Sequence, residues 1–170
     1  MKYQDCAEAL QGDEWADGSA LRPVDANINP ATGLATDYLN HFIEAIMLLE
    51  MLPNCPECIG DFLDWRPLSY REHFAFSRLK SRALVVAAYD AADPTWRDCL
   101  DTLAGTMTAV LEATRAAMSA GMPSQATAAL AERAAASLKP LVARAGAVIN
   151  GEDTAAVAAP QTIVDGLMKA

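Results

Sequence analysis

Positive charge is scarce in this chain. Thirteen lysines and arginines stand against 22 aspartates and glutamates, for a formal net charge of −9 over 170 residues. General nucleic-acid binding needs a basic footprint, so nucleic acid is excluded as a partner. The same balance disfavours anionic membrane surfaces. No uninterrupted apolar run approaches the ~18 residues that a bilayer-spanning helix requires, so no membrane role is expected. Gly60, Gly105, Gly121 and Gly146 are isolated, and no G-x-S-x-G, P-loop or dinucleotide fingerprint occurs. Met1 to Asp5 runs straight into acidic residues without an apolar core, so no signal peptide is expected. Without one, the four cysteines (Cys6, Cys55, Cys58, Cys99) read as thiols of a reducing compartment, the cytoplasm.

What is present is apolar and helical in its spacing. Hydrophobic residues make up 52% of the chain, enough for one domain with a real core. Residues 1–35 are crowded with turn formers, such as Asp17-Gly18, Asn29-Pro30 and Gly33, and read as an irregular arm. A short helix near Asp5 to Leu10 is expected there, with Leu21, Val24 and Ile28 as anchors on the bundle. Residues 36–170 read as the helical-bundle domain.

Five helices follow from caps and periodicity. The first starts near Thr36 and ends before Pro53, with Leu39, Phe42, Ile43, Ile46 and Leu49 on one face. Its second half is apolar nearly all round, which predicts a central position. The second opens at Pro56 and stops at Arg66-Pro67. The third opens with the Ser69-x-x-Glu72 capping box and is expected to run to about Ala92. The fourth has Asp93 as cap, Pro94 first and Gly121 as stop, with a seam at Trp96, Leu100, Leu103, Met107, Val110, Thr114 and Ala117. The fifth starts near Ser124 and should kink or split at Pro140. A last turn is expected around Ile163 to Met168. Nothing alternates as a strand would, so the fold class is all-α, a four- to five-helix bundle with a long irregular N-terminal arm.

Three constellations could carry chemistry. Both histidines fall in one phrase, Y-x-x-H-F, at Tyr38 to Phe42 and Tyr70 to Phe74. Asp37, His41 and Glu44 share a helix face. If His73 joins them, two imidazoles and carboxylates form a ligand set suited to non-haem iron or another divalent metal. The blander account makes Glu72 a capping acid, Asp37 a partner of the helix dipole, and His41 and Glu44 parts of a wet face. The second is Cys55-Pro56-Glu57-Cys58, a C-x-x-C at a helix start, where Cys55 could act as thiolate and Cys58 as resolving partner. The alkylhydroperoxidase-like helical family also carries C-x-x-C in an all-α chain, with a glutamate upstream and a histidine soon after. Glu50 fits the first position, but no histidine follows Cys58 before His73, so membership does not follow. The third is Arg71, Arg78 and Arg82, at seven- and four-residue steps on one expected helix, able to hold an anion or an acidic partner.

Three functions follow: a metal-binding bundle using His41, Glu44, His73 and Asp37; a non-catalytic interaction or regulatory module acting as a homodimer through the fourth or fifth helix; and a thiol redox protein using Cys55 and Cys58. No sequence feature identifies a catalytic activity.

Overall fold

A computed structural model describes residues 26–152. The expected helix near Asp5 to Leu10, the anchors Leu21 and Val24, and the last turn around Ile163 to Met168 lie outside the described residues.

The described residues are all-α, as the periodicity predicted, with six α-helices and no strand beyond one isolated bridge. These are α1 (Leu39–Met51), α2 (Ile59–Asp64), α3 (Tyr70–Phe76), α4 (Arg82–Ala91), α5 (Pro94–Ser119) and α6 (Ser124–Ile149). Short 3₁₀ turns, Thr36–Tyr38 and Pro56–Cys58, lead into α1 and α2. No helix among them is long and apolar enough to cross a membrane.

The two long helices frame the core. Asp93 caps α5 by accepting the Thr95 N–H at 2.8 Å, Pro94 fills its first position, and Gly121 follows its end at φ +83°. α5 packs along α6, and α6 packs along α1. The α5 seam is Leu100, Leu103, Ala104, Met107, Leu111, Thr114 and Met118, all buried within one chain. The predicted Val110 and Ala117 sit one residue off that line, because α5 keeps the 3.6-residue period of a straight helix rather than a strict heptad. α6 stays one helix through Pro140. The carbonyl that Pro140 leaves without an N–H belongs to Ala136, and both residues are exposed, so water can serve it.

The third predicted helix is two. α3 ends at Phe76, where the Ser77 hydroxyl donates to the Phe74 carbonyl at 2.8 Å, and α4 begins at Arg82. The reason is tertiary. A continuous helix would hold Tyr70 and Tyr89 roughly 28 Å apart, at 1.5 Å per residue. The break folds α4 back, so the two rings stack at 4.3 Å and Arg71 bonds Asp90 at 2.6 Å. Tyr89 in turn donates to the Asp101 carboxylate on α5.

The end of the expected arm is fastened to the bundle. Ile28 is buried and bridges to Ala35, and the buried Thr32 hydroxyl donates to the Ile149 carbonyl of α6 at 2.7 Å. Gly33 lets the chain turn there: its φ is +73°, and a Cβ would lie 3.0 Å from the Ala88 carbonyl and 3.3 Å from the Ala92 Cβ. Gly33→Ala should therefore cost about 1–3 kcal/mol, from both strain and crowding. Thermal unfolding should show a Tm lowered by roughly 2–12 °C. An unchanged Tm would mean that this turn does not hold α4 against the arm.

Candidate functional site

The link between α2 and α3 is built by side chains that reach it from three elements. The Trp65 indole donates to the His41 carbonyl at 3.3 Å, and Arg115 of α5 donates to the Trp65 carbonyl at 3.1 Å. The Tyr38 hydroxyl donates to the Leu68 carbonyl at 3.1 Å. The Leu68 N–H donates to His41 Nε2, also at 3.1 Å. Ser69 then caps α3: its hydroxyl accepts the Glu72 N–H, and Glu72 accepts the Ser69 N–H. The predicted capping box thus starts α3 against the Thr36–Tyr38 turn that leads into α1.

That placement brings both histidines to one spot. Their ring centroids lie 5.9 Å apart, and the His41 ring stacks on Trp65 at 4.7 Å. Asn40, His41, Glu44, Leu68, His73, Phe76 and Ser77 line an open cleft of about 280 Å³. Of the predicted ligand set, His41, Glu44 and His73 share this cleft, while Asp37 lies beside it and accepts from Asn27.

The two rings differ in what they have left to offer. Burial holds the His41 pKa down to about 4, with His73 adding to the effect and a hydrogen bond to the Arg66 backbone opposing it. Its Nε2 already accepts the Leu68 N–H, so neutral His41 is part of the architecture. His73 is half-buried, and its pKa is lowered chiefly by burial against the pull of Asp37 and Glu44. Among the described residues, no group of three or more His, Cys, Asp or Glu side chains is arranged to hold a metal ion.

Cys55 and Cys58, expected as thiols, are instead joined by a disulfide, with Cα atoms 5.5 Å apart, in the turn between α1 and α2. Both are half-buried. Cys99 is a free thiol, with its pKa pushed up chiefly by burial.

The three arginines do not share a helix. Arg71 is on α3 and paired with Asp90, Arg78 lies in the link, and Arg82 opens α4. The single stripe expected for them is lost with the break at Ser77.

Surface apolarity is where the sequence reading missed most. The exposed large apolar side chains among the described residues are Ile43 (40%), Met47 (58%), Met51 (46%), Phe76 (76%) and Leu79 (37%). The first three repeat every four residues along the outer face of α1, so α1 is not covered on all sides. Phe76 lines the cleft beside Asn40 and Glu44, one helical step from Ile43 and Met47. The signal was present in the Ile43, Met47, Met51 spacing, but apolar residues at helical period read as core whether or not anything covers them.

Raising the pH should stabilise the fold through His41. Its folded pKa lies below the ordinary value of 6.5, so the unfolded chain binds the extra proton. The stabilisation is complete above about pH 6.5 and is lost as pH falls toward 4. An NMR titration should find one imidazole with a midpoint near 4, with broadening of the Leu68 amide as it protonates. Two histidines titrating at their ordinary value would contradict this placement.

No protein-family model, no curated protein and no solved structure matches this chain, so the functional reading rests on its own residues.

Proposed function

We propose that the chain is a non-catalytic interaction module that acts as a homodimer, its copies joined across the outer face of α1 and the segment from Phe76 to Arg82. One observation carries this reading: every large apolar side chain exposed among the described residues lies on those two neighbouring stretches, and none lies on α5 or α6. A concentrated apolar surface on a soluble helix is a docking surface far more often than solitary exposed residues are.

The charges favour a second copy as the occupant. The segment after α3 is basic as well as apolar, with Arg78, Lys80 and Arg82 exposed and in no ion pair among the described residues. The α1 face carries Glu44, also without an ion pair there, and Glu50, which is paired with Lys139. In a two-fold arrangement, the basic segment of each copy meets the acidic face of the other, and both contacts form at once. Methionine adapts to irregular partners and packs well on aromatic rings, which suits Met47 and Met51 as the bed for the partner's Phe76. The α5 seam cannot serve this purpose, because it is already spent inside the chain against α6.

Sedimentation equilibrium should therefore give twice the chain mass of 18.1 kDa in the micromolar range. Met47→Glu should return the mass to one chain with an unchanged helical circular dichroism spectrum, since Met47 is 58% exposed on the outer face of α1. Glu44→Arg should weaken association, and adding Arg78→Glu should recover it. A single-chain mass throughout that range would overturn the reading.

A second reading keeps the metal. It is supported by the shared cleft of His41, Glu44 and His73, where His73 and Glu44 would hold iron or another divalent ion with water completing the shell. The Leu68 N–H on His41 Nε2 counts against His41 as a ligand. Titration calorimetry with ferrous or zinc ion should then show one site that His73→Ala abolishes, whereas no heat at tenfold excess would end this reading.

A further inference from the structure

The Cys55–Cys58 disulfide contributes little as a staple. It closes only four residues within one turn, and the chain freedom that a cross-link removes grows with the loop that it closes. The turn is also held without it. The Asn54 and Cys55 N–H groups both donate to the Met51 carbonyl, at 3.0 and 2.8 Å, and the Cys58 N–H donates to the Cys55 carbonyl at 3.0 Å. These main-chain bonds keep the two cysteines together whether or not their sulfurs are joined. Pro56, at the first position of the 3₁₀ turn, stiffens the short stretch between them.

From these observations we propose that Cys55 and Cys58 form a reversible dithiol–disulfide couple, exchanged by low-molecular-weight thiols, with Cys55 as the sulfur that exchanges. Cys58, like Ile59 and Leu63, packs against the core, and Cys55 is not among the half-buried residues that do. An incoming thiolate thus reaches Cys55 Sγ first.

The exchange balances as two displacements. The small thiolate attacks Cys55 Sγ; the bond to Cys58 breaks, and Cys58 leaves as a thiolate that takes a proton from water. A mixed disulfide now joins the small thiol to Cys55. A second small thiolate attacks the small thiol's own sulfur in that bond, releasing the symmetric small disulfide and the Cys55 thiolate, which is then protonated. Two electrons and two protons pass to the protein, and two small thiols are oxidised to one disulfide. Oxidation runs the same steps backwards.

Charge sets which small thiol reacts faster. Glu57 lies between the cysteines and Asp61 just beyond, both exposed, in a chain of net charge −9. A cationic aminothiol is attracted to that field and an anionic thiol peptide is repelled, with the difference shrinking as salt is added.

The test uses the full chain carrying Cys6→Ser and Cys99→Ser, equilibrated at graded ratios of reduced to oxidised cysteamine, then alkylated and weighed by mass spectrometry. Cys55 and Cys58 should pass together from disulfide to dithiol within the series, with no change in circular dichroism. Adding Cys58→Ser should trap one cysteamine on Cys55. Replacing Cys55 instead should slow adduct formation at Cys58 about tenfold. Reduced glutathione should open the disulfide more slowly than cysteamine at low salt. A pair that stays oxidised under excess native-state reductant, or never closes in oxidised buffer, overturns the couple. Equal adduct rates at the two cysteines overturn the assignment to Cys55.

Discussion

The hydrogen bond from the Leu68 N–H to the neutral ring of His41 is the contact on which the rest of the surface depends. It ties the link between α2 and α3 to α1, and Tyr38, Trp65 and Arg115 brace the same few residues. Once that link is fixed, Ser69 can start α3 only where it does. Tyr70, His73 and Phe76 follow at helical intervals, and α4 folds back to stack Tyr89 on Tyr70. An imidazolium could not accept the bond, so burial, with the neighbouring His73 adding to it, favours the protonation state that the architecture needs.

Much of the bundle was legible because its signals are local. Asp93, Pro94 and Gly121 delimit α5, and the Ser69–Glu72 box starts α3, through chemistry that acts within a few residues. The break at Ser77 was not legible, because its cause is a stack between Tyr70 and Tyr89, nineteen residues apart, and no periodicity reports that. The outer face of α1 was misjudged for a related reason: helical spacing shows which side chains share a face, and it does not show whether another element lies on it.

The candidate cleft was half readable. The repeated Y-x-x-H-F phrase marked His41 and His73, and the fold pairs the two copies: Tyr38 lies 5.1 Å from Tyr70 and His41 5.9 Å from His73. Sequence spacing could not show that a backbone amide from a third element takes one imidazole nitrogen. Phe76 and Ser77 enter the cleft only because α3 ends there.

The proposed dimer makes the outer face of α1 the working surface of the molecule, and methionine methyl groups report on it directly. In a ¹³C-methyl-methionine NMR dilution series, the Met47 and Met51 signals should shift together with concentration, while the buried Met107 and Met118 signals stay fixed. Met47 and Met51 signals that hold still while the protein associates would place the interface elsewhere and contradict the account.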